Sequence, residues 1–313
     1  MGAAVDIPLW DGPVIDAHQH FWEPAKNPHP WLRPEARIPF RYGDYSAIKC
    51  RYLPEDYRAD CAGHDVRQTV YVETEWDEHD PLGETRYAHD LARHHGWPNA
   101  IVAQAWLDRA DVAEVLAGQA AFPLVRSVRH KPGGPGSPAE VGATRTKMSD
   151  PVWCAGYALL RRHGLHFDLQ TPWWNLPEAE ALARDFPETQ IILNHAALPG
   201  AREDRAGIAA WANAVRAIAR CPNVAVKLSG IGEAGIAWTA ARNGEIIDTL
   251  VDAFGAARCA FGSNFPVDSL CASYDAILTG MKTILARRSR AEQAAIFAGT
   301  AARLYRPVTL TGE

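Results

Sequence analysis

Eight short apolar runs recur along the chain, at residues 14–20 (VIDAHQH), 68–76 (QTVYVETEW), 100–108 (AIVAQAWLD), 124–132 (LVRSVRHKP), 165–172 (LHFDLQTP), 189–197 (TQIILNHAA), 223–231 (NVAVKLSGI) and 258–266 (RCAFGSNFP). Amphipathic stretches with a helical period separate them, among them 83–95, 111–121, 152–163, 177–186 and 245–255. Strands alternating with helices predict a parallel sheet, and eight such units close a (β/α)8 barrel. The expected architecture is one α/β domain over residues 1–313. A doubly wound open sheet is the alternative, but no glycine-rich fingerprint follows the first strand.

Most of the runs end in polar or small residues: HQH, ETEW, RHKP, LQTP, NHAA, KLSG, GSNF. In a (β/α)8 barrel the C-terminal ends of the strands carry the active site. Three longer connections leave that same end. Residues 21–67 are rich in aromatics and proline, 131–149 are loop-like, and 198–207 follow His195 directly. All three are expected to form a wall or lid over the site, with 21–67 as an insertion after strand one.

Composition narrows the partners. Of the 313 residues 47% are hydrophobic, enough for a large core, and the formal net charge is −5. With a pI near 6.2 there is no electrostatic case for nucleic acid or an anionic membrane. No apolar stretch is long enough to span a bilayer. The segment MGAAVDIPLWDGP has neither the basic and apolar regions of a signal peptide nor, with Asp6, a myristoylation signal. The six cysteines show no CxxC spacing and read as reduced thiols. The expectation is a cytoplasmic protein acting on a small molecule, with a homo-oligomer left open.

Candidate chemistry concentrates at the strand ends. In an extended strand His18 and His20 point the same way, with Asp16 below them. His195 ends strand six, and the ends of strands one, six and eight can converge on one ion or one ligand. Neutral imidazoles suit zinc, manganese or iron. They equally suit hydrogen-bonded rim positions or direct substrate binding without a metal. Arg129, His130 and Lys131 end strand four, and Arg129 offers a fork of donors for a carboxylate or carbonyl. On strand five His166 and Asp168 read as barrel layers and Gln170 as nearer the mouth. Glu73 and Lys227 read as an internal ion pair before they read as ligands. Trp173 and Trp174 read as packing or as a pocket wall.

VIDAHQHFW, ETEWDEHDPLGETRY, VRHKP, FDLQTPWW, IILNHAALP, NVAVKLSG and FGSNFPVD resemble the amidohydrolase 2 family of TIM-barrel hydrolases, over about residues 14–305. Its sugar and muconate lactonases, including L-fucono- and L-rhamnono-lactonase and 2-pyrone-4,6-dicarboxylate lactonase, are the similar branch. The resemblance implies metal-binding or substrate-polarising roles for His18, His20 and His195. It implies substrate contacts for Arg129 and His130, and Glu73, Gln170 and Trp22 are expected to join them. Family members usually end strand eight in an aspartate that activates water; here GSNFP puts Asn264 there. An amide takes no proton at neutral pH, so Asn264 can ligate weakly or orient water, and Asp268 or Glu73 is left as the proton acceptor. The mouth of strand five carries Gln170 where dinuclear relatives have histidine, which implies at most one divalent ion, zinc or manganese, held by His18, His20, His195 and Asn264. A metal-free site stays open beside it. The expected function is hydrolysis of a small lactone; the rivals are a metal-dependent decarboxylase or oxygenase on the same scaffold and a non-catalytic small-molecule binder.

Overall fold

A computed structural model describes residues 8–310. The N-terminal stretch read for targeting signals therefore lies partly outside the described residues. Eight strands run in parallel in sequence order: β1 (Val14–Gln19), β2 (Val66–Val72), β3 (Ala100–Gln104), β4 (Val125–Arg129), β5 (His166–Leu169), β6 (Ile191–Leu193), β7 (Val224–Leu228) and β8 (Cys259–Phe261). Each expected run overlaps one of them, β2 starting two residues ahead of its run at 68–76. The sheet curls into a nearly closed TIM barrel: beyond the last β8 residue, Asn264 N–H donates to His18 O at 2.7 Å and His20 N–H to Phe265 O at 2.8 Å. The closing contacts thus lie at the C-terminal ends of the strands, directly on the histidines.

The outer shell holds α1 (Pro54–Asp60), α2 (Gly83–His95), α3 (Val112–Ala120), α4 (Pro151–Ala158), α5 (Leu176–Asp185), α6 (Arg205–Ile218), α7 (Ala240–Phe254) and α8 (Tyr274–Leu285). Two short helices follow, α9 (Arg290–Ala294) and α10 (Thr300–Tyr305). Strand side chains alternate between two cores. Outward residues such as Phe167, Leu193, Val226 and Phe261 pack with the helices. Val70, Val102, Ile192, Ala225 and Ala260 form a second cluster inside the barrel, plugged by Leu304 and Tyr305 of α10. No helix among the described residues is long and apolar enough to cross a membrane, and all six cysteines are free.

One strand departs from simple alternation. The β1–β2 register slips between Asp16 and Gln19, a bulge that breaks the period of two. Ile15 and Ala17 join the inner cluster, whereas Asp16 accepts from Tyr57 of α1 at 2.6 Å and Tyr274 of α8 at 3.3 Å. Asp16 therefore does not lie below the two histidines, as alternation predicts. It anchors the shell, and Oδ1 accepts from the N–H of His18 at 3.1 Å and of Ser263 at 2.9 Å, which ties β1 to the end of β8.

Candidate active site

A cavity of about 280 Å³ opens at the C-terminal ends of the strands, lined by His20, His195, Asn264, Arg129, Gln170 and a wall of Trp31, Phe40 and Arg41, among others. The wall belongs to residues 21–67, whose remainder includes two short 3-10 turns, α1 and the first residues of β2. Leu198 adds an apolar contact from the loop after β6.

Beneath the cavity three imidazoles meet. The His18 ring lies 5.0 Å from that of His20 and 4.4 Å from that of His195. Both ring nitrogens of His18 are buried without a protein partner, a state that normally costs free energy unless a ligand is present. His20 Nδ1 sits 2.7 Å from Val72 O, so this nitrogen carries the proton and Nε2 is left with a lone pair. Nε2 faces Asn264 Oδ1 at 3.3 Å. The amide cannot turn to donate there, because its Nδ2 donates to Asp268 Oδ1 at 2.6 Å. Two acceptors thus face each other. His195 Nδ1 pairs with Ser229 Oγ at 3.1 Å.

The electrostatics keep these rings neutral. Burial, then the neighbouring Lys227 ammonium, pushes His18 well below its usual value. Burial and Arg129 bring His20 down to about 3. Burial and Arg41 do the same in direction for His195. Neutral imidazoles are ligands and hydrogen-bond acceptors, not acids.

This donor set fits a cation: His18, His20 Nε2 and Asn264 Oδ1 offer lone pairs that no protein hydrogen occupies. Every one of these donors is uncharged. Among the described residues no three His, Cys, Asp or Glu side chains form a metal cluster by themselves, so an ion would rest on this mixed set.

The other expected residues are placed as follows. Arg129 is locked: Nε bonds Glu73 Oε1, Nη2 bonds Glu73 O, and Nη1 donates to Gln170 Oε1 at 2.9 Å and Asn194 Oδ1 at 3.3 Å. These four bonds leave one of its five N–H donors uncommitted. Glu73 and Lys227 do not pair with each other as expected; each lies inside the barrel with a different partner. Burial raises the Glu73 carboxyl, but Arg129 and Lys131 outweigh it and the net direction is down. Lys227 Nζ lies 2.6 Å from Asp168 Oδ1, and Asp168 also accepts from Asn194 at 2.8 Å and Tyr305 at 3.0 Å. His130 lies outside the cavity, its Nδ1 accepting from Leu107 N–H at 3.0 Å and Trp153 Nε1–H at 2.9 Å. Trp22 does not reach the cavity either. It is fully buried, donates to Ile48 O at 3.1 Å and Cys50 O at 3.0 Å, and its ring stacks behind His20 at 5.9 Å.

Asp268 stands one layer back, accepting from Asn264 and from Tyr42 OH at 2.9 Å, with Arg41 Nη2 at 3.6 Å. Burial pushes its carboxyl up against these partners, and the net direction is up. Arg41, Tyr42 and Ser229 were not singled out for the site by spacing, whereas Lys131 lines the cavity at the strand-four end where the sequence placed it. Arg41 and Tyr42 sit in an aromatic-rich connection whose path over the barrel no periodicity encodes.

The amidohydrolase family profile matches residues 15–306. The chain is 36% identical over 298 residues to an uncharacterized protein, y4mH, of Sinorhizobium fredii, covering 94% of this chain and 98% of that one. It is 30% identical over 297 residues to an L-fucono-1,5-lactonase of Burkholderia ambifaria, covering 93% and 95%. A crystal structure of an amidohydrolase from Burkholderia multivorans with bound zinc superposes with a TM-score of 0.78 at 27% identity, covering 95% of this chain and 100% of that one. With the histidine-floored cavity at the end of its barrel, the chain belongs to the amidohydrolase family and is a hydrolase resembling the lactonases among its relatives.

Proposed function

We propose that this protein opens the ester ring of a small sugar-acid lactone by attack of water at the mouth of the barrel. The observation that carries the reading is the floor of the cavity, where His18 keeps two orphaned nitrogens between His20 and His195 beneath a rim of Arg129, Arg41 and Lys131. That combination receives an electron-rich carbonyl and the negative charge that develops on it. The volume of about 280 Å³ is at the small end for ligand sites and suits one ring. The lactonase likeness supports the same class of substrate.

In this reading the carbonyl oxygen takes the free N–H of Arg129, whose guanidinium is held by its four other bonds and needs little reorganisation as the oxyanion forms. Asp268, one layer behind the floor and its carboxyl raised by burial, accepts the proton of the attacking water across one intervening water and returns it by the same route to the ring oxygen that leaves as a hydroxyl. Asn264 holds Asp268 through Nδ2 and orients the floor through Oδ1. His18, His20, His195 and Asn264 are the residues that would hold a divalent ion, zinc or manganese. Such an ion supplies Lewis-acid polarisation and a more acidic water when bound.

Initial rates on L-fucono-1,5-lactone and a panel of related sugar lactones, for metal-stripped protein and with zinc or manganese added, test the reaction. Ring opening no faster than the uncatalysed rate under every condition would reject it. Asp268→Asn is expected to lower kcat by about 10²–10⁴-fold with little change in KM. Activity near that of the unaltered protein would remove Asp268 from the mechanism.

A further inference from the structure

The mouth of the barrel holds two spaces. Beside the 280 Å³ cavity lies a wider cleft of about 740 Å³, whose walls include Arg33, Trp76, Asp77, Glu78, His79 and Trp106. Glu75, Arg129 and Lys131 line both, so a single layer of side chains divides them. The outer part of that layer is an ion pair, Lys131 Nζ to Glu75 Oε1 at 2.6 Å, with the two side chains 39% and 43% exposed. Its inner part is braced, for Glu73 grips Arg129 with one oxygen and accepts the Glu75 N–H at 2.8 Å with the other. Glu75 itself stands at φ 64, a left-handed conformation that a non-glycine residue keeps only where its surroundings hold it.

We propose that the wider cleft is a second subsite, which takes a non-reacting sugar unit attached to the lactone ring, so that the substrate class extends to aldonolactones of disaccharides. The proposal rests on the lactone-opening reading above. Its chemistry is that of a saccharide site. Trp76 and Trp106 supply flat apolar surfaces for the C–H face of a pyranose. Asp77, Glu78 and Arg33 supply acceptors and donors for its hydroxyls. Trp76 is held in place by the edge of His29 at 4.9 Å and the face of Tyr87 at 5.8 Å, so its surface is formed in advance. The division is cheap to open, because an exposed ion pair contributes little and Lys131 and Glu75 part without breaking a buried contact.

Calorimetry with the open acids separates binding from turnover, using gluconate as the single-ring probe and lactobionate as the two-ring probe. Lactobionate is expected to bind at least tenfold more tightly than gluconate. Trp106→Ala is expected to remove most of that advantage, and Trp106→Phe to keep it, which distinguishes a lost stacking face from a damaged fold. Equal binding of the two acids, or equal weakening of both by Trp106→Ala, overturns the subsite. Rates on lactobiono-1,5-lactone and glucono-1,5-lactone complete the test. Hydrolysis of neither, with the Trp106-dependent preference for lactobionate intact, would reject the reaction and leave the subsite standing. Hydrolysis of the single-ring lactone without that preference would do the reverse.

Discussion

Asn264 is the residue on which the chemistry of the floor turns. It occupies φ 59, which asparagine tolerates better than most residues. From there Nδ2 reaches Asp268 and Oδ1 faces the bare nitrogen of His20. The amide therefore keeps Asp268 ionisable without adding a charge of its own. Asn264→Asp would set a second carboxyl about where Nδ2 now donates across 2.6 Å, and two carboxylates that close cannot both ionise unless a proton or cation sits between them. The expected outcome is zinc affinity raised at least tenfold, read by competition with a chromophoric chelator. A dissociation constant unchanged by the substitution would mean that the lone pairs of His18 and His20 do not face an ion.

The turns after β6 and β7 place His195. Residues His195, Ala196, Ala197 and Leu198 take φ values of 54, 54, 56 and 52, a run of left-handed non-glycine residues that costs about 1–2 kcal/mol at each position. Hydrogen bonds hold the turn: Leu198 N–H to His195 O at 2.8 Å, and Trp211 Nε1–H to Ala196 O at 2.8 Å. Against it lies Gly230 at φ 58, where a Cβ would come 2.3 Å from His195 Nδ1 and 2.7 Å from Arg41 Nη2. Gly230→Ala is thus expected to displace the imidazole or the guanidinium, with kcat/KM down at least tenfold and about 1–2 kcal/mol of stability lost to the backbone conformation. A loss of stability with kcat/KM intact would show that the position of His195 does not matter to the reaction. None of this turn was legible in NHAALPG. The apolar runs revealed all eight strands, and their polar endings pointed to the end where the cavity opens, because both follow from side-chain period alone. The bulge that turns Asp16 outward and the pairing of Glu73 with Arg129 and of Lys227 with Asp168 depend on register between strands, and the burial of Trp22 depends on how the 21–67 connection folds back on itself. Period carries no information about those.

Across the whole molecule, buried titratable groups divide into two sets whose opposite signs shape stability against pH. Burial above all brings His20 down to about 3 and His29 and His130 to about 4, and lowers His18 and His195 as well. Between about pH 4 and the unfolded histidine value of 6.5, the unfolded chain binds more protons than the native one, so stability rises with pH through that window. Glu84 works the other way. Burial, then the charge of Glu73, raises its carboxyl from 4.5 to about 8, so between those values the native state binds the extra proton and stability falls as pH rises. Below 6.5 the histidines outnumber it; above 6.5 they are neutral in both states and the decline due to Glu84 continues to about 8, with the buried carboxyls of Asp16 and Asp268 raised in the same direction. The melting temperature should therefore climb to a maximum near pH 6.5 and then drift down. Glu84→Gln isolates the second limb. Its amide oxygen can still accept from Tyr71 OH, Thr74 N–H and Thr74 Oγ–H, as Oε1 does at 2.8, 2.6 and 2.7 Å, while Oε2 has no partner to lose. The variant should melt at a nearly constant temperature from pH 6.5 to 8, where the unaltered protein loses several degrees. Parallel profiles for the two proteins over that range would mean that the native state holds Glu84 ionised. Thr74, a lining residue of the cavity, would then be anchored by a second buried charge beside Glu73, and the division of labour between a charged Glu73 on Arg129 and a neutral Glu84 beneath it would not hold.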